Sequence, residues 1–142
     1  MKRTGITPED LLPHRDRMKL VDGIIEVNEK KAVTFATVTN QWPFLKDETV
    51  LSLVCIELVA QTAGIGNCWE GKKKHGELFV NRGWLVGIKE AVFYIDTIPL
   101  NTPIITRTDN QFEFENYREI LGTVEIESKV AAEVRLQLMQ SE

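Results

Sequence analysis

The stretch VLSLVCIELVAQTAGIGN, residues 50–67, carries one charged side chain, Glu57, in its whole length. Laid out at about 100° per residue, its apolar side chains reach every face. Leu58 and Ile65 share one, Cys55 and Val59 lie opposite, and Ile56 and Ala63 form a third. A helix that is apolar all round must be enclosed by other elements. The segment therefore predicts a long buried helix over 50–67, and the rest of the chain has to supply its cover.

Glu57 shares a face with Gln61, four residues on, and with Val50, Leu53, Val54, Gly64 and Cys68. An unpaired carboxylate among such neighbours costs several kcal/mol or is driven toward its neutral form. Two readings follow. Glu57 is structural, snorkelling to an edge or hydrogen-bonded by Gln61 and a loop, or it is a general acid or base at the foot of an apolar pocket.

The flanks of this helix read as strands. KLVDGIIEVN (19–28) and KAVTFATVT (31–39) are rich in β-branched residues and predict an antiparallel hairpin, followed by the loop NQWPFLKDET. WEGKKKHGE (69–77) predicts a surface turn. Beyond it, WLVGIKEAVFYI (84–95), IITRTDNQFEFEN (104–116), EILGTVEIES (119–128) and VAAEVRLQLM (130–139) alternate as strands do, with turns at Pro99-Leu100-Asn101, Asn116 and Gly122. A short helix opens the chain, with Thr7 as N-cap and Pro8 in the first position, stopping near Pro13. The order predicts an α+β domain over 1–142: one antiparallel sheet wrapped around one helix, with a second subunit covering what a single sheet leaves open.

The 142 residues, 43% hydrophobic and 27% charged with a net charge of -4, exclude disorder on bulk grounds and give no basic footprint for nucleic acid. No stretch is apolar enough to span a bilayer, and the start lacks the apolar core of a secretory signal, so a cytoplasmic location is expected. Cys55 and Cys68 on one helix lie ~20 Å apart, beyond disulfide reach, and read as buried thiols. With His14 and His75 remote from them, metal-ligand spacing does not appear.

LLPHRDRMKLVDGIIEV (11–27) resembles the opening of the hotdog-fold 3-hydroxyacyl-(acyl carrier protein) dehydratases, and CIELVAQTAG (55–64) is similar to their central-helix segment. LVGIKEAVF (85–93) looks like their Gly-Ile-x-x-Ala-x-Phe strand, and Pro99-Leu100-Asn101 stands where they have a Pro-Gly-Asp turn. The resemblance implies a hotdog fold, a homodimer or larger assembly with sites at the subunit interface, and an acyl thioester substrate carried on the phosphopantetheine of acyl carrier protein or coenzyme A, with no cofactor of the chain's own. It further implies that Glu57 is the catalytic carboxylate, and that Trp42, Pro43, Leu85, Val86 and Gly87 stand at substrate-binding positions.

In that family the carboxylate works with a loop histidine in a Gly-His-Phe-Pro-Gly motif. Aligning Trp42-Pro43 with Phe-Pro puts Gln41 at the histidine and Asn40 and Phe44 at the flanking glycines. Glutamine takes up no proton near neutral pH. Three functions stay open: a divergent dehydratase, a hydro-lyase with another base such as His14; a hotdog thioesterase using the helix carboxylate alone; or a non-catalytic subunit that binds acyl thioesters or pairs with an active homologue. The chain also resembles a dehydratase-like subgroup of aryl-polyene and other secondary lipid or polyketide pathways, through Ile-Glu-x-x-Ala-Gln and Gly83-Trp84-Leu85-Val86-Gly87. Lys72, Lys73 and Lys74, with Arg82 and Lys89, are a candidate cationic rim for a carrier protein or a coenzyme A phosphate, and Trp42, Trp69 and Trp84 are candidate acyl-tunnel linings whose alternative role is core packing.

Overall fold

The computed structural model describes residues 5–11, 19–76 and 83–140. Its spine is the helix α2, Val54–His75, which at 1.5 Å per residue is ~33 Å long. The helix begins four residues later than its sequence suggests, because the apolar Val50 belongs to a strand instead. Leu45–Lys46 (β3) and Thr49–Leu51 (β4) form a tight hairpin, and Val50 pairs with Ile98 of Thr97–Pro99 (β6). Part of the expected 40–49 loop is thus a small three-stranded sheet.

At its other end α2 continues through the segment expected as a surface turn. Glu70 is buried there, and Arg118 of β8 (Tyr117–Ile126) holds it against the sheet by donating Nη2–H to Glu70 Oε1 at 3.0 Å and Nη1–H to Asn67 Oδ1 at 2.6 Å. Lys74 reaches the same Oε1 at 2.7 Å, one turn on. Burial alone would raise the Glu70 pKa; hydrogen bonds from Lys74 and Arg118, and their charges, hold it below the usual carboxylate range. Four cationic or ionisable residues, Lys72 to His75, occupy the last turn, where the helix dipole favours positive charge. Gly76 ends the helix at φ +92°, a conformation open to glycine, with its N–H on Lys72 O.

Around this helix curls a six-stranded antiparallel sheet in the order β1-β2-β7-β8-β9-β5. Its strands are Gly23–Val27 (β1), Lys31–Thr37 (β2), Gly83–Phe93 (β5), Pro103–Phe114 (β7), β8 and Lys129–Gln140 (β9). The expected hairpin and the four later strands are all present, and the sheet wrapped on one helix is the hotdog arrangement. Thr7 and Asp10 close a short helix, α1 (Pro8–Leu11), by reciprocal bonds: Asp10 N–H donates to Thr7 O, and Thr7 N–H to Asp10 Oδ2, both at 3.0 Å.

Gly122, expected to mark a turn, lies mid-strand in β8 opposite Thr108. A Cβ there would overlap both methyl groups of Val59, so the glycine lets the helix settle directly on the sheet. The core follows: Leu58 and Val59 pack with Val38, Ile104, Val124, Val134 and Leu136. A second cluster joins Ile65 and Cys68 to Leu11, Val21 and Ile24. A buried hydroxyl pair also crosses the layers. Thr62 donates to Leu58 O at 2.8 Å, which leaves its oxygen to accept the Thr34 hydroxyl at 2.8 Å.

The two sheet edges differ. β1 has five residues and a bulge between Ile24 and Glu26, so no more than two consecutive residues stay in regular register. β5 has eleven residues and two bulges, yet Glu90 to Phe93 runs unbroken against β9.

Candidate active site

Glu57 sits in the first turn of α2, half-buried. Its neighbours on the helix surface are Leu53, which is exposed, and Ile56, Ala60 and Gly64, which are only half-buried. These positions fall within one sector of the helix at 3.6 residues per turn. The chain's own sheet thus leaves one apolar face of α2 incompletely covered, and Glu57 stands on it. Ile56 and Ala60, like Ala91 and Phe93 of β5, the strand at the sheet's long edge, are partly buried against the main core.

Gln61 occupies the same side one turn on and is 1% exposed. It donates Nε2–H to Glu57 Oε1 at 3.0 Å, while its own Oε1 accepts the Leu20 N–H at 3.0 Å. This amide orientation is chemically forced. A backbone N–H has only a hydrogen to offer, so the Gln61 atom meeting it is the oxygen, and the NH2 group must face Glu57. Because an amide hydrogen approaches Glu57 Oε1, that oxygen acts as acceptor. Sequence reasoning found Glu57 and Gln61 but not Leu20, whose contribution is a main-chain N–H that no side-chain pattern reveals.

Gln41 is exposed and turned onto its own loop: Nε2 donates to Asn40 Oδ1 at 3.3 Å, and its N–H to Thr39 Oγ1 at 3.2 Å. Within one chain the structure brings Glu57 and Gln61 together, while Gln41 bonds within its own loop. Trp42 is 7% exposed and packs in the main core, which makes it the anchor of this loop; Pro43 beside it is exposed. Phe44 follows at φ +63°, 44% exposed.

On β5, Leu85 pairs with Leu138 and Gly87 with Gln137, and Val86 is exposed at the bulge between them. Gln137 Oε1 comes within 2.9 Å of where a Cβ on Gly87 would stand, so the space a side chain would take serves Gln137, whose Nε2–H in turn reaches Tyr117 Oη at 3.0 Å. The lysines of the expected rim are engaged within the chain. Lys73 pairs with Glu29 at 3.0 Å and lies 5.1 Å from the Trp69 ring, Lys74 pairs with Glu70, and Lys89 pairs with Glu119 at 3.1 Å. His14 and Arg82 lie outside the described residues.

Other nucleophiles are suppressed. Burial pushes the Cys55 thiol up to about 12 and raises that of Cys68, so both stay protonated and unreactive. Among the described residues no group of three His, Cys, Asp or Glu stands close enough to hold a metal ion, and no helix is long and apolar enough to cross a membrane. The chemistry on offer is that of one oriented carboxyl group at the edge of an apolar face.

Comparison with known proteins bears on this site. The model of a family described as ApeP-like, ApeP dehydratase, matches residues 6–142. The 3-hydroxyacyl-[acyl-carrier-protein] dehydratase FabZ of Streptococcus pneumoniae serotype 4 is 28% identical over 127 residues, covering 86% of this chain and 84% of its own. Among solved structures, the dehydratase heterocomplex ApeI:P from Xenorhabdus doucetiae superposes with a TM-score of 0.85 at 20% identity, over 96% of this chain and 92% of the other. A hypothetical thioesterase with coenzyme A from Streptococcus pneumoniae superposes at 0.67 with 8% identity, over 83% and 84%. These superpositions share the hotdog fold.

Proposed function

The chain belongs to the ApeP-like family, a dehydratase-like hotdog family, and from that premise we propose that it is the acid-bearing subunit of a two-component 3-hydroxyacyl-thioester dehydratase. The observation that carries this reading is a carboxyl group oriented by a buried amide, with Gln41 where the family has its histidine. Glu57 is held in one orientation by Gln61, itself pinned by the Leu20 N–H. Gln41, at the position of the family's histidine, has an amide that cannot take a proton.

Dehydration needs both roles at once. A base removes a proton from C2 of the acyl chain, the C3–O bond breaks, and an acid protonates the departing hydroxyl so that water leaves and a C2=C3 double bond remains. Glu57 serves as the acid. The proton taken from C2 goes to an imidazole on a second, histidine-bearing hotdog subunit, and solvent exchange restores both groups. The incompletely covered apolar face of α2 around Glu57 is the surface against which such a subunit closes. The assembly of the ApeI:P neighbour as a heterocomplex supports two unlike subunits, and the name of the FabZ relatives supports a thioester on acyl carrier protein.

The test is reconstitution. The chain alone and the chain co-expressed with a histidine-bearing hotdog dehydratase of the same genome are given 3-hydroxyacyl thioesters, and absorbance of the conjugated enoyl thioester is followed. Turnover should require both subunits and fall at least 100-fold in Glu57→Gln. Full activity of the chain alone, or of the E57Q complex, overturns the reading. Release of free thiol in place of enoyl product would assign the carboxylate to thioester hydrolysis.

A further inference from the structure

A bulge in β7 gathers polar side chains that the carboxyl site does not use. The register slips between Asn110 and Phe112, so that Asn110 lies opposite Ile120 and Glu113 opposite Arg118. Ile120 is buried and Arg118 bonds to α2, which puts Asn110 and Glu113 on the helix side together. In an unbroken strand, residues three apart would point to opposite faces. From the bulge a line of polar contacts can be followed atom by atom. Asn110 Nδ2–H donates to Glu113 Oε1 at 3.3 Å and to Glu29 O at 3.2 Å. Arg118 Nε lies 3.2 Å from the same Glu113 oxygen, and Arg118 Nη1–H donates to Asn67 Oδ1 at 2.6 Å.

These contacts fix both asparagine amides. Arginine offers only hydrogens, so the Asn67 atom meeting it is the oxygen. A carbonyl and an ionised carboxylate offer only lone pairs, so the Asn110 atom meeting them is the nitrogen. The opposite ends, Asn67 Nδ2 and Asn110 Oδ1, have no partner among the described residues, and Asn67 is only 9% exposed. A buried amide N–H without an acceptor is costly, and native chains rarely leave one so. Asn67 and Asn110 line one cavity of about 10 Å³, together with Ala63, Gly66 and Thr108. That is the room one water needs. The Thr108 hydroxyl donates to Ala32 O at 3.5 Å, which leaves its lone pairs to accept.

We propose that one water molecule resides in this cavity and closes a ring of polar contacts running from Arg118 to Asn67, through the water to Asn110, and back by Glu113. The water accepts from Asn67 Nδ2 and donates to Asn110 Oδ1 and Thr108 Oγ1, the three bonds usual for a buried water. The same set of atoms disfavours an ion. A cation would face the Asn67 amide hydrogens, and an anion the Asn110 oxygen. Asn67 lies ten residues beyond Glu57, ~15 Å along the helix. The water therefore fastens the far half of α2 to the bulged end of β7, apart from the carboxyl group and independent of any second subunit.

A high-resolution crystal structure of the full chain tests this directly. One water within hydrogen-bond reach of Asn67 Nδ2, Asn110 Oδ1 and Thr108 Oγ1 is the expected result. No density in the cavity, an ion there, or an amide of one asparagine turned to bond the other overturns the proposal. In solution, the Asn67 side-chain amide should give water cross-peaks of opposite sign in laboratory-frame and rotating-frame Overhauser spectra, the mark of a long-lived water. Cross-peaks of the same sign, which mark rapidly exchanging surface water, overturn it as well. Asn67→Leu keeps the side chain's size and removes its amide, so the water should be lost from that variant. A water retained at full occupancy in N67L overturns the bridging role of Asn67. Should N67L fail to fold, the density and spectra of the parent chain decide the matter.

Discussion

Gln61 stands between Leu20 and Glu57 as a one-way connector, receiving a hydrogen from the first and giving one to the second, at 3.0 Å on both sides. Two substitutions separate these duties. Gln61→Glu still accepts the Leu20 N–H but sets a second carboxyl in place of the amide hydrogen at Glu57, so the reconstituted complex should lose at least tenfold in kcat, and the buried like charges should also destabilise the fold. Gln61→Met orphans a buried N–H and should cost ~1–3 kcal/mol in denaturant unfolding. Equal kinetic and equal stability losses in the two variants would show that Gln61 only fills space.

The contact of Gly122 with Val59 should behave as a steric lock. Gly122→Ala is expected to destabilise the chain by ~1–3 kcal/mol through overpacking. Trimming the opposing side chain by Val59→Ala should recover part of that loss, giving a double mutant less destabilised than the sum of its singles. Additive losses in urea titrations would mean that the helix simply moves away.

Acid should strike the far end of the helix. The Glu70 pKa is lower in the folded chain than its ordinary 4.5, so the stability it contributes is fully present above the unfolded value. It is lost as pH falls from there through the folded value. Wild type should therefore lose more stability between pH 6 and pH 3 than Glu70→Gln does, to an extent read from urea midpoints. At neutral pH, Arg118→Met leaves a buried carboxylate short of its main partner and should cost ~3 kcal/mol. An identical pH response in wild type and E70Q would dismiss the cluster as a stabilising element.

Thiol chemistry offers a check on the core. With the Cys55 pKa at about 12 and that of Cys68 raised, neither should react with a disulfide reagent at pH 8 in the native chain, and both should react in denaturant. Rapid labelling of either in the folded state would contradict their burial.

Much of this architecture is legible in the sequence because it rests on pattern. The run from Cys55 to Ile65 can bury itself only as an enclosed helix, and the alternating strands announce the sheet that encloses it. Misreadings occur where a distant partner decides. Val50 looks helical until Ile98 claims it as a strand residue, and Trp69 to His75 looks like a turn until Arg118, far along the chain, pays for the burial of Glu70. Gly122 looks like a turn because the methyl groups of Val59 above it are invisible in one dimension. The site divides in the same way. Glu57 and Gln61 are a local i, i+4 pair and can be read directly, whereas Leu20 acts through its backbone N–H.

The unequal edges of the sheet set how far assembly can go. A bulged five-residue strand offers an incoming chain almost no regular hydrogen-bonding template, while the Glu90–Phe93 run at the opposite side offers one. Of the two outer strands of the six-stranded sheet, β5 alone offers that template among the described residues, so two copies joined there would leave only blunt β1 strands at the ends of the combined sheet. Strand addition is thereby steered toward a closed pair and away from open fibres, which lets a protein expose an extended edge without the hazard of polymerising along it.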